Sequence, residues 1–115
     1  MRIFYHGAYQ KSDVPSAAPI ESSETEAKSI FARLSGEGSF LGILLRADHT
    51  LQLYRKSDGT LHAEVLNEPK RTIRYCTINV PLAELLIEAA FRGESLEQKI
   101  AFARVTWNDD HLQSA

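Results

Sequence analysis

The sequence lacks several features that mark special classes of protein. Cys76 is the single cysteine, which excludes an internal disulfide framework and is typical of proteins in a reducing compartment. No apolar run approaches the roughly 18 residues that a membrane-spanning helix needs. A secretory signal peptide has an apolar core behind basic residues, and the first ten residues, MRIFYHGAYQ, do not have one. The absence of these features predicts a cytoplasmic protein.

An excess of charge of one sign is lacking as well. Thirteen basic and fifteen acidic side chains are spread along the chain, and the formal net charge is −2. The pattern therefore predicts no basic surface for binding nucleic acid, and the chain is not acidic enough for a protein that mimics DNA. A length of 115 residues with 43% hydrophobic and 24% charged content is that of an ordinary globular protein. We therefore expect one domain over residues 1–115, with neither a nucleic-acid nor a membrane partner.

Motifs for a metal or a cofactor are also missing. His6, His49, His62 and His111 are scattered, and no two of them have the HxH or HxxxH spacing of a metal site. The stretch 36–38 (GEG) lacks the lysine of a phosphate-binding loop and follows a helical pattern, whereas such loops follow a strand. The sequence thus predicts neither a metal site nor a cofactor.

The amino-terminal part of the chain predicts a strand, a loop and a helix. Arg2–His6 (RIFYH) is a short apolar run of strand type, and residues 8–21 hold two prolines without periodicity, as a loop does. Ser23 and Glu26 form a capping box at a helix start. One apolar stripe follows, at Ala27, Ile30, Phe31 and Leu34. Gly36 is placed to end this helix.

The remaining chain predicts further strands and a second helix. Ser39–Arg46 (SFLGILLR) and Arg71–Asn79 (RTIRYCTIN) are expected strands. Pro81 suits the first position of a helix that ends at Gly93. The predicted apolar stripe of this helix is Leu82, Leu85, Leu86 and Ala89. Lys99–Trp107 is either a last strand or part of a helix from Ser95 that turns into one, and Asn108–Ala115 is expected to fray.

Two registers are open to the hairpin at 51–66 (LQLYRKSDGTLHAEVL). A two-residue Asp-Gly turn would mix buried and solvated side chains on each face, whereas a three-residue loop at 57–59 pairs Lys56 with Thr60. The second register gives one face the pairs Leu51–Val65, Leu53–Ala63 and Arg55–Leu61, and the other face the pairs Gln52–Glu64 and Tyr54–His62. Because a slip of one residue turns every side chain to the wrong face, burial favours the three-residue loop with a left-handed Gly59.

The predicted fold is therefore α+β. We expect an antiparallel sheet of four to six strands, built around a four-strand meander, with two helices packed on one face. Gln52, Tyr54, His62 and Glu64 then point to the face away from the helices. They form either an ordinary solvated sheet surface or a partner-binding site, since tyrosine is enriched where proteins dock.

The layout resembles immunity proteins of bacterial toxin systems, particularly the type paired with deaminase toxins. The resemblance runs from Ser23 to Trp107, through a capped helix, the strand runs SFLGILLR, LQLYRK, TLHAEVL and RTIRYCTI, the helix PLAELLIEAAFRG and a late strand ending ARVTW. It implies a non-catalytic protein that binds a cognate toxin and blocks it. Residues 2–21 lie outside the resemblance, and it assigns no binding residues.

Two other classes of function stay open from the sequence. One is a small enzyme whose groups converge only in the folded chain, with His62, Glu64 and Cys76 as the first candidates. A pocket lined by those side chains would favour it, and a flat face would count against it. The other is a homodimer joined through sheet edges or faces, so the sequence leaves monomer and homodimer open.

Overall fold

The computed structural model describes residues 1–46, 48–100 and 106–107 of the chain. These residues form one sheet and a layer of helices. The elements are, in chain order, β1 (Arg2–His6), β2 (Ile20–Glu21), α1 (Glu24–Arg33), β3 (Phe40–Leu44), β4 (His49–Arg55), β5 (Leu61–Asn67), β6 (Thr72–Ile78), α2 (Val80–Arg92), α3 (Leu96–Ile100) and β7 (Thr106–Trp107).

The sheet is antiparallel throughout and has the strand order β2-β1-β3-β4-β5-β6-β7. Strands β3 to β6 form the predicted meander, and β1 returns to pair with β3. The α+β class and the packing of α1 and α2 on one face are confirmed. The described strands number seven rather than the expected four to six, because two-residue strands, β2 and β7, pair at the two edges.

The hairpin between β4 and β5 has the predicted register. Lys56 N–H donates to the Thr60 carbonyl at 3.0 Å, and Gly59 lies in the left-handed region with φ +84°. The observed pairs include Leu51–Val65, Leu53–Ala63, Arg55–Leu61, Gln52–Glu64 and Tyr54–His62. Asp58 fixes the loop, since its Oδ1 accepts from the Thr60 N–H at 3.0 Å and from the Thr60 hydroxyl at 2.6 Å.

Helix α1 begins as predicted and ends earlier. Ser23 Oγ accepts from the Glu26 N–H at 3.1 Å, but the Glu26 carboxylate accepts from the Ser23 hydroxyl at 3.3 Å. The capping box is thus only half formed, because a complete box has this carboxylate on the Ser23 backbone N–H. The helix ends at Arg33, before Gly36, since the C-cap Leu34 turns to an extended conformation, is buried and forms a backbone bridge with Ala8.

Helix α2 ends at Gly93 as predicted, with φ +71°. Its N-cap is Asn79, whose side-chain oxygen accepts from the Leu82 N–H at 2.9 Å, so Pro81 occupies the second helical position rather than the first. The predicted stripe is partly wrong, because Leu85 is 45% exposed and Leu82 is half-buried. The fully buried side chains of α2 are Ala83, Leu86, Ile87, Ala89 and Ala90.

Short elements occur in the predicted loop and in the late segment of the chain. The loop predicted at 8–21 is tied to β1, since Val14 bridges to Tyr5 and residues 20–21 form β2. The late segment follows the second alternative, a short helix (α3) and then a strand (β7). The predicted fraying of 108–115 falls outside the described residues. Among the helices that the structure describes, none is long and apolar enough to cross a membrane.

The core lies between α1, α2 and one face of the sheet. Because alternate side chains of a strand point to opposite faces, Leu51 and Leu53 of β4 both reach this core, and each is 0% exposed. Their partners on neighbouring strands share the same face. Further side chains that are almost fully buried are Ile3, Leu41, Ile43, Leu86 and Ile87. This packing leaves the opposite side of the sheet without a cover from the described helices.

Candidate protein-binding face

The second side of the sheet carries polar and aromatic side chains. We call it the distal face, because it points away from α1 and α2. The register places together on it Phe4 and His6 of β1, Phe40 and Gly42 of β3, Gln52 and Tyr54 of β4, His62 and Glu64 of β5, and Tyr75 and Thr77 of β6. All four residues predicted as a partner-binding site are thus on one face, on two neighbouring central strands.

A hydrogen bond joins two of the predicted residues across the hairpin. The Tyr54 hydroxyl donates to Glu64 Oε1 at 3.0 Å, and both side chains are half-buried. The pKa of Tyr54 is raised well above its ordinary value, first because burial disfavours the phenolate and then because the Glu64 carboxylate lies beside it. The phenol therefore stays protonated and remains a donor over the physiological pH range.

His62 is packed between two tyrosine rings. Its ring centroid lies 5.5 Å from that of Tyr54 and 6.3 Å from that of Tyr75, in stacked arrangements. The prediction that His62 faces water is wrong, because only 7% of it is exposed. Gln52, which was predicted on the same surface, is half-buried. The distal face is therefore a packed surface rather than a row of solvated side chains.

The surroundings of His62 favour a neutral ring. Burial lowers its pKa first, and the positive charge of Lys56 lowers it further, while Asp58 and Glu64 oppose the shift. Nδ1 is buried and has no hydrogen-bond partner among the residues that the structure describes. A proton on Nδ1 would therefore have no acceptor from those residues.

Aromatic rings extend the distal face to β1, which the sequence did not predict. Phe40 lies opposite Tyr54 in the register, and its ring is 6.0 Å from Phe4 in an edge-to-face contact and 5.7 Å from His6. The alternation in RIFYH does separate Phe4 and His6 from Ile3 and Tyr5. It does not show that β1 pairs with β3, so these rings could not be joined to the hairpin from the sequence.

Gly42 makes room for one of these rings. A Cβ atom at this position would lie 2.1 Å from Phe4 Cζ, well inside van der Waals contact. The Phe4 ring therefore occupies the space that a side chain at position 42 would fill, and Phe4 is only 7% exposed. The glycine within SFLGILLR is explained by close packing on the distal face rather than by a turn.

Cys76 lies on the other side of the sheet. It is opposite Ala63, 3% exposed and part of the core, whereas His62 is opposite Thr77 on the distal face. Burial raises the pKa of the Cys76 thiol, and the nearby charge of Arg74 only partly opposes this. The structure therefore does not assemble the suspected enzyme site of His62, Glu64 and Cys76, since only the first two share a face.

Two cavities lie apart from the distal face. One of 260 Å³ is found near the carboxyl-terminal end of α2, and one of 170 Å³ is found between β1 and α1. Neither is lined by Gln52, Tyr54, His62 or Glu64. Over residues 1–46, 48–100 and 106–107, no three histidine, cysteine or acidic side chains are grouped as metal ligands would be.

Comparisons of the chain with models of protein families, with curated proteins and with solved structures give no match. The functional argument therefore depends on the residues of the distal face and on the layout of the elements.

Proposed function

We propose that the chain is a non-catalytic, immunity-type protein that binds a cognate bacterial toxin through the distal face and neutralises it by contact. The observation that carries the proposal is the hydrogen-bonded and stacked group of Tyr54, His62 and Glu64 at the centre of the sheet face that points away from α1 and α2. Side chains that are already held in place lose little conformational entropy when a partner docks. Tyrosine is also among the residues that contribute most to binding at interfaces.

The dimensions of the face suit a protein partner better than a small molecule. Five neighbouring strands spaced about 4.8 Å apart, each of five to seven residues, give a surface of roughly 20 by 20 Å. A standard interface buries about 800 Å² on each partner. The distal face supplies roughly half of that area, so we expect the partner to contact the surrounding loops as well.

The choice of a toxin as the partner rests on the layout. Immunity proteins are resembled in the order of the elements, which is one capped helix, a four-strand meander, a second helix and a late strand. The described elements follow this order. An immunity protein needs a stable surface rather than a catalytic cleft. The burial of Cys76 away from His62 is compatible with that requirement.

The proposal is tested with the product of the reading frame immediately upstream, used as the toxin. The purified chain is titrated into this protein by calorimetry, and growth is measured when both are co-expressed. We expect a one-to-one complex and protected growth. Glu64→Lys should weaken binding at least about tenfold, because it breaks the bond to Tyr54 and reverses a charge at the centre of the face.

Glu84→Lys is the matched control, since it makes the same charge change on the exposed surface of α2. It should bind like the parent chain. Equal binding by the Glu64 and Glu84 variants would show that the distal face is not the docking site. Absence of both complex and protection would overturn the toxin proposal, and a chain that sediments as a dimer at all concentrations would point to self-association instead.

A further inference from the structure

The 260 Å³ cavity lies at one end of the domain, away from the distal face. It is formed by the carboxyl-terminal end of α2, the start of α3, the connection between β3 and β4, and the core side of β5. Its lining residues are Met1, Leu45, Arg46, His49, Val65, Ala90, Gly93, Glu94 and Leu96. The proposed toxin contact does not use any of them.

The inner walls of the cavity are apolar. Ala90 is 3% exposed and Leu96 is 9% exposed, and both belong to the core. Leu45 and Val65 are partly buried and pack against that core. A ligand that entered would therefore meet hydrocarbon at depth, and burial of an apolar tail would drive its binding.

The charges around the cavity do not cancel. The amino group of Met1 lies 3.1 Å from Glu21 Oε2, and Glu94 Oε2 lies 4.0 Å from Lys99 Nζ, so each of these charges has a partner of opposite sign. Arg46 is exposed and has no ion pair within the described part of the chain. The cavity thus combines apolar walls with one cation whose charge is not balanced.

We propose that this cavity binds a small amphipathic anion, with its apolar tail against Ala90 and Leu96 and its carboxylate near Arg46. The volume is below the range of about 300–1,000 Å³ typical of sites for drug-sized ligands, so the tail is short. Arginine suits the head group because its guanidinium donates two parallel hydrogen bonds to a carboxylate. This inference is independent of the proposed toxin binding.

Three probes of equal chain length test the proposal on the full chain: hexanoate, 1-hexanol and hexylammonium. Their dissociation constants are measured by NMR titration at low salt. We expect hexanoate to bind most tightly and hexylammonium most weakly, with shifts centred on the methyl groups of Leu45, Val65 and Leu96. Hexylammonium binding as tightly as hexanoate, or shifts centred elsewhere, would overturn the proposal.

Substitutions separate the head group from the tail. Arg46→Gln should weaken hexanoate binding by about two- to fivefold, the upper part of the range for an exposed ion pair, and leave the binding of 1-hexanol unchanged. Lys56→Gln is the matched control, because it removes one positive charge at the hairpin. It should change the binding of neither hexanoate nor 1-hexanol. Ala90→Leu should fill the cavity and weaken the binding of all three probes. If Ala90→Leu does not fold, Val65→Leu is used to fill the cavity instead. Unchanged hexanoate binding in Arg46→Gln, or in a folded filled variant, would contradict the site.

Discussion

The two faces of the sheet are built from the same strands and differ in what holds them together. On β4, Leu51 and Leu53 face the helices and are fully buried. Gln52 and Tyr54 are their immediate neighbours, yet they lie on the distal face and are half-buried. One strand thus supplies both a hydrophobic core and a surface of paired polar and aromatic side chains.

This difference indicates where the stability of the domain lies. Full burial of one leucine side chain contributes about 1.5–3 kcal/mol, whereas one cross-strand pair on a sheet surface contributes about 0.2–1 kcal/mol. The core face therefore carries most of the free energy of folding. Exposed side chains on the distal face, such as Thr77, can change with little loss of stability, which is compatible with the proposed docking of a partner.

The largest effect should follow from a charge on the core face. Leu53→Asp removes a side chain that is 0% exposed and puts a carboxylate against α1 and α2, so we expect a loss of at least about 5 kcal/mol in the free energy of unfolding. Since a domain has only about 5–15 kcal/mol in total, most of the chain should be unfolded. Circular dichroism with urea titration measures this.

Thr77→Asp is the matched control, because it places the same side chain at an exposed position on the distal face of β6. It should unfold within about 1 kcal/mol of the parent chain. A cooperative, parent-like transition in Leu53→Asp would show that the two faces have been assigned the wrong way round.

A smaller effect is expected where the distal face is packed most closely. Gly42→Ala forces a Cβ atom into the Phe4 ring, so it should cost about 1–3 kcal/mol of stability. In a Phe4→Ala background that ring is absent, and the same substitution should cost much less. Urea unfolding of the two single variants and the double variant gives the coupling energy.

Thr50→Ala introduces alanine on the same face of the neighbouring strand and should show no coupling to Phe4→Ala. Purely additive effects of Gly42→Ala and Phe4→Ala would mean that the ring does not lie over the glycine. The distal face would then be looser than its register indicates.

The smallest effect concerns the protonation of His62. Its pKa is lowered in the folded chain, whereas the unfolded chain takes up a proton near the ordinary value of 6.5. The unfolded state therefore binds more protons as the pH falls below that value, and stability decreases until the pH reaches the folded-state pKa. Urea unfolding between pH 8 and 5 should show this loss in the parent chain.

His62→Gln should lose less stability over the same interval, because glutamine does not titrate. His6→Gln is the control for the loss of any one histidine, because it removes a histidine that is exposed at the edge of the same face. Equal pH dependence in the parent chain and the His62 variant would contradict a buried, neutral imidazole.

Most of the fold could be predicted from local patterns. Ser23, Gly59 and Gly93 each have a conformational role that sequence shows directly, and the alternation in β4 and β5 selected the correct register. Leu85 was placed wrongly because two overlapping stripes fit α2, and only the packing against the sheet selects the one that contains Ala83 and Ile87.

The candidate face was predicted only in part. Its four hairpin residues share one side, as the alternation required, but His62 is covered by Tyr75 as well as Tyr54. Phe4 joins the face because β1 pairs with β3, a contact between segments far apart in the chain. Such long-range pairings leave no local signal, so neither the burial of His62 nor the reach of the aromatic rings could be predicted.

The central claim is that the distal face docks the partner while the core face holds the fold. The most direct test is the dissociation constant of the complex between Tyr54→Ala and the product of the upstream reading frame, the proposed toxin. It is compared with that of Tyr9→Ala, whose ring is 65% exposed outside the face. The account predicts binding at least about tenfold weaker for Tyr54→Ala, at a temperature where both variants are folded, and parent-like binding for Tyr9→Ala. Equal affinity of the two variants would contradict it.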